Sequence, residues 1–180
     1  MRAYFETLAA QFTHPVTAVA QILGLVPVVL GFFIFRNVRR NTSIAIKAVS
    51  DFLSAVHFLL LGEATGCVIN FINTVRGVCF AQKGRRPWAS GIWMPIGFCA
   101  VTAVGSLLGW TGWESLLPLL GSCLAVVGYW CAEPRNLRRF NFAGISLWTV
   151  YGILTFSVPT MVGNAISLAS ILKTELTAKR

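Results

Sequence analysis

Seven apolar segments follow one another along this chain with only short polar connections between them: about Pro15–Phe35, Ser43–Leu61, Ala64–Ala81, Ile92–Trp110, Leu116–Ala132, Phe140–Phe156 and Val158–Leu172. A membrane-spanning helix needs about 20 predominantly apolar residues, and several of these segments are shorter, so their ends are loosely bounded. Over 180 residues the composition is 56% hydrophobic and only 12% charged, with a mean hydropathy of +0.70. A soluble domain of this size would need a charged shell that is missing here, so the chain reads as an all-α integral membrane protein. Arg2 precedes the first long apolar run by more than ten residues, and that run is long enough to span. It is therefore read as a retained helix, not a cleaved signal peptide.

The net charge of +9 would suit a nucleic-acid binder, but its distribution points elsewhere. All of the 15 basic residues except Arg2 fall at or near one side of a seven-helix arrangement, in clusters such as Arg36–Arg40, Lys83–Arg86 and Arg135–Arg139. Positive-inside then predicts a periplasmic N-terminus and a cytoplasmic C-terminus in a bacterial inner membrane. An odd helix count requires the same. Trp88, Trp93, Trp110, Trp113 and Trp130 fall near the predicted interfaces, as aromatic belts do. The five cysteines, Cys67, Cys79, Cys99, Cys123 and Cys131, lie in apolar segments without metal-ligand spacing and read as small packing residues. No metal, cofactor or nucleic acid is expected. Nothing in the sequence forms a phosphate loop or a nucleophile–base pair, so the chain reads as a non-enzyme.

The second and third segments carry the polar residues that lipid would not tolerate. On a helix, Lys47, Ser50, Asp51, Ser54 and His57 fall within roughly 120° of one another. Asn70 and Asn73 begin a second polar face one turn apart. Polar groups at membrane depth face other helices or a water-filled cavity, so these two helices read as one wall of a cavity. Trp148, near the middle of the sixth segment, has an indole N–H to satisfy in the same region.

The first three segments recur in the last three. Gly24 and Gly31 match Gly121 and Gly128 at a shift of 97, and Arg-Asn-Val-Arg-Arg (36–40) returns as Arg-Asn-Leu-Arg-Arg (135–139) at a shift of 99. His57 pairs with Tyr151, Asn70 with Asn164 and Asn73 with Ser167, all at a shift of 94. This predicts two parallel three-helix repeats, 1–82 and 114–180, joined through a basic loop and linker helix over 83–113. Parallel repeats are related by an axis along the membrane normal, with solute sites at their interface near the midplane.

This 3+1+3 layout resembles the SWEET sugar transporters and the wider PQ-loop superfamily, although no Pro-Gln dipeptide is present. The runs Val56–Gly62 (V-H-F-L-L-L-G), Ile72–Arg76 (I-N-T-V-R) and Leu117–Gly121 (L-P-L-L-G), with Trp148 and Tyr151, resemble the YgjV family of bacterial inner-membrane proteins over nearly the whole chain. The SWEET resemblance implies that Asn70 (or Asn73) and Asn164 line a central pocket, with His57, Trp148 and Tyr151 as the aromatic partners. Ser54 joins them from the polar stripe, and Asp51 with Lys47 is either a coupling site or an interfacial ion pair. Each residue also has a plainer role open to it: interhelical hydrogen bonding for the asparagines and His57, packing for Trp148, topology for the basic loops. The function expected is facilitative transport of a small neutral polar solute, such as a sugar or nucleoside-like metabolite, by alternating access. A receptor or accessory subunit on the same fold is the alternative. The partners expected are the lipid bilayer and the solute; a homo-oligomer is left open.

Overall fold

The computed structural model describes residues 6, 12–36, 40–131 and 134–177. Seven α-helices account for most of them: α1 (Pro15–Arg36), α2 (Arg40–Leu60), α3 (Ala64–Ala81), α4 (Trp93–Leu108), α5 (Leu116–Trp130), α6 (Pro134–Leu154) and α7 (Val158–Thr177). Short 3₁₀ turns, Pro87–Ser90 and Trp113–Ser115, precede α4 and α5. Prolines set many of the starts. Pro15 and Pro134 open α1 and α6, and Pro95, Pro118 and Pro159 sit in the first turns of α4, α5 and α7. Proline's fixed φ suits the first turn, where its missing N–H has no helical partner to lose. Pro27 is interior to α1 and leaves the Leu23 carbonyl without its helical donor.

The seven apolar segments therefore coincide with seven helices, but three helices run beyond their apolar parts. The basic stretch 135–139, expected as a loop, forms the first turns of α6. Similarly, α2 begins at Arg40 and α7 runs to Thr177. Lys, Arg and Glu are good helix formers, so apolarity marks depth in a membrane and not where a helix ends. The Arg-Asn-Val-Arg-Arg stretch falls partly outside the described residues, at 37–39.

The helices close a ring in which each packs on the next: α1 on α2, α2 on α3, α3 on α5, α5 on α6, α6 on α7, and α7 back on α1. Helix α4 lies outside this ring, against α3 and α5. The packing is inverted relative to a soluble bundle. Among the described residues, fourteen buried polar or charged side chains stand against nine buried apolar ones, while Leu107, Leu108, Ile22 and Leu59 are more than 60% exposed. Small and polar interior residues let helix backbones approach and hydrogen-bond, which drives helix association where lipid removes the hydrophobic incentive. By length and apolarity α3 alone among the described helices qualifies as a span, and Pro15–Gly31 and Trp93–Leu108 are shorter apolar stretches. Helices α4 and α5, at 16 and 15 residues, are too short, and polar residues lower the average of α2, α6 and α7.

The α2–α3 and α6–α7 turns repeat one another bond for bond at the shift of 94. Glu63 N–H donates to Phe58 O at 2.9 Å, and Ser157 N–H to Gly152 O at 2.9 Å. Gly62 N–H bonds Leu59 O, as Phe156 N–H bonds Ile153 O. This pair of bonds is a Schellman ending, which needs a left-handed residue after the helix. Gly62 supplies it at φ +78° and Phe156, less comfortably, at φ +54°.

Candidate functional site

A cavity of about 600 Å³ lies inside the ring. All six ring helices line it and α4 does not. From α2 come Lys47, Ser50, Asp51, Ser54, His57 and Phe58, so the polar stripe faces inward as its helical spacing requires. Helix α3 contributes Asn70, Asn73 and Arg76, and α6 contributes Arg138, Asn141, Gly144, Ile145 and Trp148. Asn164, Ser167 and Ser170 enter from α7, Ser122 and Tyr129 from α5, and Gly24, Pro27 and Gly31 from α1.

Nearly every residue singled out from the sequence therefore meets here: Asn70, Asn73, Asn164, His57, Trp148, Ser54, Asp51 and Lys47. Tyr151 does not. It is fully buried; the Gly66 N–H donates to its hydroxyl at 3.1 Å, and that hydroxyl donates to Glu63 Oε2 at 3.3 Å. Its ring packs 5.5 Å from Phe58 and 5.7 Å from Trp148, centroid to centroid, so it braces the cavity wall from behind.

His57 lines the cavity, but both ring nitrogens are engaged. Nδ1–H donates to the Ala20 carbonyl at 2.8 Å, and Nε2 lies 2.7 Å from Ser157 Oγ. The His57–Ser157 and Tyr151–Glu63 contacts are counterparts: a shift of 94 carries His57 onto Tyr151 and Glu63 onto Ser157. Helix α2 thus grips the α6–α7 turn, and α6 grips the α2–α3 turn. Gln21, 2% exposed, adds a third clamp by donating from Nε2 to Phe156 O at 3.0 Å. The correspondence lapses at α1 and α5. Gly24 makes room for His57 and Pro159, whereas Gly121 makes room for Trp148 and the Gly144 carbonyl.

Asn70 donates to the Gly66 carbonyl one turn back at 2.8 Å, and Asn73 donates to Ser122 Oγ at 3.2 Å, joining α3 to α5. Asn164 presents Nδ2 without a partner. Asn70 and Asn164 share the cavity but make no hydrogen bond to each other among those described. Lys47 and Asp51 form an ion pair one turn apart on α2, which leaves Asp51 Oδ2 buried and unpartnered. Glu63, in the turn outside the helices, has its carboxyl pushed above the ordinary range, chiefly by burial; the Tyr151 hydroxyl pulls it down and Glu114 pushes it up.

Two cavity residues were read from the sequence only as topological charges. Arg138 pairs with Glu175 across α6 and α7, and that partner draws the Glu175 carboxyl below its usual range. Arg76 is 3% exposed, and its guanidinium lies 5.4 Å from the Tyr129 ring centroid. The signal for it was present: Asn70, Asn73 and Arg76 recur every three residues and share one face of α3. Among the described residues no His, Cys, Asp and Glu cluster could hold a metal ion.

An apolar exterior, a polar interior and a cavity with a polar stripe on its wall, in an all-helical ring, are the features of an integral membrane protein. The chain belongs to the Imp-YgjV family, bacterial inner membrane proteins, whose family model matches residues 18–178. It matches no curated protein and no solved structure.

Proposed function

We propose that this chain is a facilitative carrier that moves a small polar solute across the bacterial inner membrane by alternating access. Its seven helices cross the membrane as two parallel three-helix repeats, 1–82 and 114–180, around the linker α4, with the N-terminus periplasmic and the C-terminus cytoplasmic. The observation that carries this reading is the cavity of about 600 Å³ walled by both halves, within the range of small-molecule sites. The matched turns and the reciprocal His57–Ser157 and Tyr151–Glu63 contacts favour a two-fold relation between the halves, the arrangement in which solute sites fall between repeats. Asn70, Asn73, Asn164, Ser54 and Trp148 are the solute contacts in this reading. His57 and Tyr151 hold the halves in register.

Facilitated movement is favoured over proton coupling because Asp51 is held by Lys47 and His57 is fully engaged. The test is flux of labelled sugars, nucleosides and their acidic derivatives into proteoliposomes, with and without a pH gradient. Carrier-dependent equilibration that is lost in Asn164→Ala supports the reading. Absence of flux for every solute that binds the purified protein rejects it in favour of a receptor.

A further inference from the structure

Four buried side-chain atoms that line the cavity have no hydrogen-bond partner: Asp51 Oδ2, Asn73 Oδ1, Arg76 Nη1 and Asn164 Nδ2. Buried polar groups are almost always paired, so a cluster of four around one void describes what the void is built to hold. Two of the four belong to amides, and either amide orientation leaves one hydrogen-bonding atom of Asn73 and of Asn164 open to the cavity. Arg76 is the decisive member. An arginine stays charged and presents only donors. Among the described residues no carboxylate pairs with it, and its guanidinium rests over the face of Tyr129. The other charges on the cavity wall are compensated: Lys47 by Asp51 and Arg138 by Glu175. Among the described residues one positive charge is left over, 97% buried.

An uncompensated buried charge costs several kcal/mol, and that cost is met when a ligand supplies the counter-charge. We infer that the cavity takes an acidic solute, placing one carboxylate or phosphate group on Arg76 while hydroxyl or amino groups of the solute donate to Asp51 and Asn73. This rests on the carrier reading for its route but not for its chemistry. It replaces the neutral solute expected from the sequence with one that bears an acidic group: a hydroxy acid, sugar acid, amino acid or small phosphate ester. A planar guanidinium binds carboxylate or phosphate through two parallel N–H donors, which a lysine cannot reproduce.

The experiment is thermal unfolding of the detergent-purified protein with glycerate, gluconate or glycerol 3-phosphate, against glycerol and glucose at equal ionic strength. We expect at least one acid to raise the melting temperature saturably while its neutral counterpart does not. Its saturation constant should rise at least tenfold in Arg76→Gln and also rise in Arg76→Lys. Lys83→Gln, which removes a charge outside the cavity wall, should leave the constant unchanged. Should Arg76→Gln not fold, Arg76→Lys and Tyr129→Leu carry the same comparison. The inference is overturned if no acid outperforms its neutral counterpart, or if Arg76 variants bind as the wild type does. Displacement by phosphatidylglycerol micelles alone would assign the charge to a lipid headgroup and also overturn it. Acid binding without flux removes the carrier reading and keeps the acidic site. Glucose flux indifferent to Arg76→Gln does the reverse.

Discussion

His57 Nε2 lies 2.7 Å from Ser157 Oγ, so a side chain of α2 holds the turn between α6 and α7. The bond is buried and joins residues 100 apart in sequence. Removing one partner leaves the other unsatisfied, at about 1–3 kcal/mol. His57→Leu and Ser157→Ala should each lower the melting temperature by several degrees, roughly 2–4 °C per kcal/mol at this chain length. The double variant should lose less than the sum, with a coupling of about 0.5–3 kcal/mol for residues in contact. Strict additivity in detergent unfolding would show that the contact carries no energy.

Gly62 adopts φ +78° with nothing within 4 Å of where a Cβ would stand. Gly62→Ala should therefore destabilise by about 1–2 kcal/mol through the backbone alone. Gly97 also has open space but lies inside α4 with no left-handed φ. Gly97→Ala should be neutral or stabilising by up to about 1 kcal/mol. Equal effects at both sites would refute the left-handed turn.

Glu63 carries a pH signature. Its folded carboxyl lies above the ordinary value of 4.5, mainly through burial. The folded chain therefore binds the proton more tightly than the unfolded chain. Its contribution to stability is complete below about pH 4.5 and is lost as pH rises through the raised value. Glu63→Gln should flatten that decline. Tyr151→Phe removes the hydroxyl that favours the ionised form, so the decline should move to higher pH. Melting curves across mildly acidic pH decide it, and an unchanged profile in both variants counts against the assignment.

Orientation can be read by labelling in a background without the five native cysteines. Thr111→Cys, at the exposed end of α4, should react with an impermeant thiol reagent from the periplasm, and Arg85→Cys, exposed in the loop before α4, should not. Arg85 is the better probe than Gly84, whose φ of +81° a cysteine would strain. Labelling of Arg85→Cys alone would invert the topology.

Helix number and the inward direction of the α2 stripe were legible because both are matters of periodicity. Lys47, Ser50, Asp51, Ser54 and His57 had to share a face, and polar groups at depth had to turn inward. The asparagines followed from the same reasoning. Arg76 was missed because an arginine near a helix end reads as a topological charge; only the fold shows it buried over Tyr129 without a counter-ion. Tyr151 erred in the other direction. Tyr151 and His57 instead act alike at the turns: His57 holds the α6–α7 turn and Tyr151 the α2–α3 turn. That relation joins residues 88 and 100 positions apart, and no local pattern displays it. The helical run at 135–139 was lost because apolarity was made to stand for helicity.

The placing of α4 outside the ring makes the two seams between the halves unequal. Where α3 meets α5, α4 lies across both and binds them like the spine of a book. Where α1 meets α7, none of the seven described helices lies across the joint in the same way. In the carrier proposed above, any parting of the halves would hinge at the α3–α5 seam and open at the α1–α7 seam. Val28, on α1, and Gly163, on α7, stand together at that second seam, where a Cβ on the glycine would come 3.1 Å from the valine. A side chain added there would act as a wedge between the covers.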